Sequence, residues 1–84
     1  MYNTALLVGT LKKVDKKENI KAVIEDEKGI RYTFPINEIC EHEPNLVGML
    51  DKAIGTTVSL KGELVPTTEE GKFEIKVSHV LFGN

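Results

Sequence analysis

The chain comprises 84 residues, 40% hydrophobic and 29% charged, with a formal net charge of −2 and a single cysteine. These figures fit one domain, exclude an internal disulfide framework or a multi-cysteine zinc site, and leave no stretch near the roughly 18–20 apolar residues of a membrane-spanning helix. Leu6-Leu7-Val8 breaks at Gly9, too early for a secretory leader, so the expected setting is soluble and cytoplasmic.

Residues 4–14 are rich in aliphatic and β-branched side chains and predict a first strand. Leu6, Val8 and Thr10 alternate with Leu7, Gly9 and Leu11, so both faces are apolar at one end. A strand buried on both sides and bent at Gly9 suits a tightly curved barrel. Residues 14–19 form a polar turn, and Ile20, Ala22 and Ile24 set the period of a second strand. Asp26-Glu27-Lys28-Gly29 predicts a tight hairpin, the glycine supplying the positive φ. Ile30, Tyr32, Phe34 and Ile36 alternate with Arg31, Thr33 and Pro35 in a third strand that Pro35 ends or places at an edge.

An irregular acidic segment follows, with a short helical turn over Glu38–Glu41. Asn45 is then the expected N-cap of a helix whose stripe is Leu46, Met49, Leu50, Ala53 and Ile54, and Gly55 ends it. Residues 57–65 predict a fourth strand burying Val58, Leu60 and Leu64, with Gly62 allowing a bend. Phe73, Ile75 and Val77 open a fifth strand. Its apolar phase slips, since Val80 and Phe82 have the other parity, and this predicts a bulge near Ser78 or His79.

Five short strands with a helix between the third and fourth predict an all-β domain over residues 1–84. The matching architecture is a five-stranded OB-fold Greek-key barrel with one short helix between strands 3 and 4. An SH3-like barrel lacks that helix, and a ferredoxin-like domain needs two.

Three segments also resemble a known family. Asn3 to Leu11 (N-T-A-L-L-V-G-T-L) resembles the opening strand of bacterial single-stranded DNA-binding proteins. Thr57 to Leu64 (T-V-S-L-K-G-E-L) is similar to the fourth strand of that family, and Gly71 to Phe82 (G-K-F-E-I-K-V-S-H-V-L-F) to its last. The smaller primosomal relatives share the opening pattern and the length. The resemblance implies an OB barrel, single-stranded DNA as ligand and self-association. Three features depart from it: no acidic, phenylalanine-tipped tail follows the last strand, tryptophan is absent, and the hairpin at Asp26–Gly29 is short. Partner recruitment through such a tail is therefore not expected.

Charge is distributed in blocks. Lys12, Lys13, Lys16, Lys17 and Lys21 against Asp15 and Glu18 give residues 12–21 a balance of +3. Residues 25–51 reach −5, with Glu25, Asp26, Glu27, Glu38, Glu41, Glu43 and Asp51 against Lys28 and Arg31. A basic block of this kind is an anion-binding loop or a solvated hairpin face. Single-strand binding needs such a groove together with aromatic faces. Lys12, Lys13, Lys16 and Lys17 belong to the loop joining strands one and two. Lys21 and Arg31 belong to the polar side of strands two and three, and Lys61, Lys72 and Lys76 to strands four and five. Tyr32 and then Phe73 are the stacking candidates, whereas Phe34 reads as core; Tyr2 and Phe82, near the termini, could serve a subunit interface.

The expected function is an SSB-like accessory protein of replication, recombination or a mobile element, binding single-stranded DNA without sequence preference. The alternative is an OB-fold assembly module without significant nucleic-acid binding, whose partner is a replication or mobile-element protein. A mostly apolar first strand would leave a hazardous edge, so a homodimer or higher oligomer is expected. Cold-shock-type RNA binding lacks its aromatic pattern here. No enzyme, cofactor or metal is expected: there is no triad, phosphate loop or dinucleotide motif, and Cys40-Glu41-His42-Glu43 lacks paired ligand spacing.

Overall fold

A computed structural model describes residues 4–66, 68, 70–71 and 73–83, with the backbone alone at 73 and 74. Its strands are β1 (Thr4–Asp15), β2 (Lys21–Glu25), β3 (Arg31–Pro35), β4 (Thr57–Pro66) and β5 (Phe73–Phe82). Two helices, α1 (Asn37–His42) and α2 (Leu46–Ala53), lie between β3 and β4. The strands form one antiparallel sheet in the order β3-β2-β1-β4-β5.

β1 organises this sheet. Thr4 to Thr10 pairs with β4, and Thr10 to Asp15 pairs with β2, so the strand is handed from one neighbour to the other at Thr10. The bend depends on Gly9. A Cβ there would lie 2.5 Å from the Glu25 carbonyl oxygen and 2.7 Å from Ile24 Cγ2, closer than any side chain tolerates. The register then shifts between Leu11 and Lys13, leaving Lys12 unpaired in a bulge.

Asp26 closes the β2–β3 hairpin as expected. Its Oδ1 accepts the backbone N–H of Lys28 at 2.9 Å and of Ile30 at 3.0 Å, and Gly29 takes φ 81°. The second expected irregularity falls at Ser78. Lys61 opposes His79 while Gly62 opposes Val77, and the extra Ser78 donates its hydroxyl to the Lys61 carbonyl at 3.1 Å. The bulge resets the side-chain phase, so Val77 is buried while Val80 and Phe82, of the other parity, still pack against the core.

That core is built from Leu11, Ala22, Ile24, Phe34, Ile36, Val58, Leu60 and Val77 beneath Ile39 and Cys40 of α1 and Leu46 and Leu50 of α2. Backbone bonds between Leu11 and the Gly55–Thr56 turn (2.7 and 2.9 Å) fasten the end of α2 to β1.

Beyond Leu64, which is 40% exposed rather than buried with Val58 and Leu60, four expectations are corrected. First, there are two helices: Ile39 and Cys40 are 8% and 7% exposed, and docking them extends the Glu38–Glu41 turn into α1. Pro44 forces Glu43 toward extended backbone (φ −126°, ψ 84°) and separates α1 from α2. Second, Asn45 stands at the N-cap but makes no side-chain cap, and Met49 and Ile54 are exposed, so Leu46 and Leu50 carry the α2 stripe. Third, β1 is not covered on both sides: Leu6 and Val8 are 63% and 50% exposed, because nothing described in the chain packs on that outer face. Fourth, the sheet is not closed into a barrel. β3 and β5 come within 8 Å between α-carbons but share no ladder. Pro35 ends β3 without an N–H to donate, and α1 begins two residues later and packs against β5.

Candidate nucleic-acid interface

The β1–β2 register gathers the lysines at the start of the chain. Asp15 opposes Lys21 and Lys13 opposes Val23, while Val14 opposes the buried Ala22. By strand alternation Lys13, Asp15 and Lys21 therefore share the outer face. Lys17 joins them from the loop, donating its backbone N–H to Asp15 Oδ1 at 3.1 Å. That bond holds the Asp15 carboxyl below its ordinary range; partial burial opposes it, and the charges of Lys13, Lys17 and Lys21 reinforce it. Lys12, exposed in the bulge, lies at the margin of this group. Among the described residues none of these four lysines is in an ion pair. A hollow of about 270 Å³ lies at the loop between Asp15, Lys17, Glu18, Asn19 and Lys21.

Other expected cations are engaged elsewhere. Lys16 Nζ lies 2.5 Å from Asp51 Oδ2 and ties the loop to α2. Arg31 Nε donates to Glu25 Oε2 at 3.0 Å, directly across the hairpin. Lys76 reaches Glu38 Oε1 at 3.5 Å. Lys61 opposes Leu6, seven residues from Lys13 along β1 and so on the order of 20 Å away. Lys72 lies outside the described residues, as does the side chain of Phe73.

Among the described side chains, no aromatic ring meets the lysines. Tyr32 opposes the buried Ile24 and so shares the inner face, opposite Lys13 and Lys21. It is 37% exposed and stacks on the buried Phe34 with centroids 6.3 Å apart and planes at 21°. Its hydroxyl donates to Asp26 Oδ2 at 3.1 Å, which with partial burial and the Asp26 charge raises the phenol above its usual range. Tyr32 is thereby committed to the hairpin.

Periodicity alone did not reveal the exposed outer strip of Leu6, Val8 and Leu81. Register places Val8 opposite Ser59 and Ser59 opposite Leu81, so the strip crosses three strands. The two-sided apolar pattern of β1 was its only sequence signal, and it suggested burial.

Cys40 is a buried thiol, raised by burial first and by the Glu43 charge second. Such a thiol packs as a small apolar group. Among the described residues no three histidine, cysteine or acidic side chains converge on a metal position, and no helix is long and apolar enough to cross a membrane. Comparison of the chain with protein-family models, with curated proteins and with solved structures returns no match.

Proposed function

We propose that this chain is a small OB-type domain that binds single-stranded DNA through phosphate contacts and without sequence preference, acting as an SSB-like accessory in replication, recombination or a mobile element. One observation carries the reading: Lys12, Lys13, Lys17 and Lys21 lie together at the β1–β2 loop with Asp15 held among them. The OB assignment is supported by the bent β1 shared between two ladders, the strand order, the helices between β3 and β4, and the near approach of β3 and β5. That loop is a usual ligand-contacting element of OB folds.

The same geometry limits affinity. Stacking contributes about 1–3 kcal/mol per base, and no described aromatic side chain stands among the lysines. Binding is then mainly electrostatic, with a Kd in the range of about 10⁻⁴–10⁻⁶ M at physiological salt. Self-association offsets this by presenting two clusters on one strand. β1 supports a homodimer or larger assembly: residues 4–9 pair with β4 alone, and the exposed Leu6 and Val8 lie along that half-strand.

Fluorescence anisotropy with an oligo-dT of about 30 nucleotides, long enough for two such domains, tests the reading at low salt. Saturable binding at tens of micromolar protein is expected. Its absence refutes nucleic-acid binding and leaves the assembly-module alternative, which the pairing of Lys16, Arg31 and Lys76 with carboxylates favours. Sedimentation as a monomer at high concentration refutes the homo-oligomer.

A further inference from the structure

A second surface, far different in charge, lies where the sheet fails to close. Two adjoining hollows of about 410 and 270 Å³ run between α1 and β5 and share Glu38, Ile39, Lys76 and Val77. Ile36, Ile39, Ile75 and Val77 give the trough an apolar floor. Its rim is acidic: Glu38, Glu41, Glu43 and Glu63 line it, against the single lysine Lys76, which already faces Glu38. β5 is also the terminal strand of the ladder, and among the described residues no strand is paired beyond it.

We propose that this trough is a docking site for an extended segment of a partner protein that alternates apolar side chains with lysine or arginine. Each feature selects part of that occupant. A strand edge offers backbone donors and acceptors to another extended backbone, and pockets beside it take alternate side chains. The apolar floor receives the side chains pointing inward. The four carboxylates attract cationic side chains along the rim and repel both acidic segments and nucleic-acid phosphates. An incoming cation also displaces Lys76 from Glu38, an exposed pair at 3.5 Å that costs little to break. The inference does not depend on nucleic-acid binding, which uses the opposite charge at the β1–β2 loop.

The test is an NMR titration of the ¹⁵N-labelled full chain with the peptide acetyl-Lys-Val-Lys-Val-Lys-Val-Lys-amide, and with its glutamate counterpart. The basic peptide should shift residues 38–43 and 75–78 saturably and slow amide exchange along β5, whereas the acidic peptide leaves those residues unshifted. The triple variant Glu38→Gln/Glu41→Gln/Glu43→Gln changes only exposed side chains and should bind the basic peptide about tenfold more weakly. Its oligo-dT titration should not weaken, which separates the two surfaces. Absence of shifts at about 1 mM peptide, shifts of the basic peptide centred elsewhere, equal binding of the acidic peptide at the trough or unchanged affinity in the triple variant overturns the proposal. Binding without slowed exchange on β5 overturns it equally, because the segment is then not an added strand.

Discussion

The salt dependence of oligo-dT binding distinguishes lysines that are available from lysines that are engaged. Each phosphate neutralised on a single strand adds about −0.7 to the slope of log K against log salt. Four lysines, Lys12, Lys13, Lys17 and Lys21, then give a slope of about −2.8, or roughly a fifty-fold loss between about 50 and 200 mM salt. Lys16 is adjacent in sequence but lies 2.5 Å from Asp51, with the two side chains 49% and 40% exposed. Lys16→Gln should therefore leave the slope unchanged, while Lys13→Gln or Lys21→Gln makes it shallower by about 0.7. The reverse perturbation is more telling. Asp51→Asn releases Lys16 and should steepen the slope to about −3.5, with tighter binding at low salt. Anisotropy titrations of these variants at four salt concentrations measure every term. A Lys16→Gln slope that drops as far as that of Lys13→Gln, or an Asp51→Asn slope equal to that of the unsubstituted protein, would refute the reasoning that the ion pair withholds Lys16.

Further outcomes concern the fold that presents the cluster. Gly9→Val places a side chain against the Glu25 carbonyl and Ile24; a loss of about 1–3 kcal/mol is expected, a Tm decrease of roughly 5–20 °C for a domain this small, and an unchanged Tm argues against the close approach. Leu50→Ala empties a fully buried position on α2 and should cost about 2–5 kcal/mol in urea unfolding; a change below about 1 kcal/mol would mean that α2 does not pack on the sheet as described. The Asp15 carboxyl lies below the ordinary 3.8 when folded, chiefly through the Lys17 N–H. Its stabilising contribution is therefore fully present above the unfolded value and is lost as pH falls through the folded one. The Tm advantage over Asp15→Asn should persist at about pH 7 and vanish by about pH 2; an advantage independent of pH contradicts the assignment. At neutral pH the same variant should bind oligo-dT more tightly, since it removes the anion among the lysines.

Much of this architecture was legible because it is local. The Asp26–Gly29 turn needs only residues that bond their own backbone or accept positive φ, and it automatically sets Glu25 opposite Arg31. The slip in apolar parity after Val77 required an extra residue, and the extra residue is Ser78. The lysine block of residues 12–21 stayed together for the same reason, since a hairpin brings its two arms side by side. Where the reading failed, the deciding contact was distant or absent. Lys16 and Asp51 are 35 residues apart and meet only after α2 docks on β1. Apolar residues on both faces of β1 suggested burial on both, but no described element covers Leu6 and Val8. Parity put Tyr32 with the core residues, and only the pairing with Ile24 and the bond to Asp26 showed how that face meets solvent.

The net charge of −2 concealed a division that the order of residues already contained: a basic first loop followed by an acidic middle. Strand alternation, turn chemistry and the bulge were likewise determined by neighbouring residues, whose bonding requirements are met within a few positions of the chain. Tertiary structure alone decided which lysines are neutralised, which face of β1 stays bare and whether the sheet closes. Those outcomes depend on how α1 and α2 pack across the sheet, bringing together groups whose separation in sequence carries no signal of their contact.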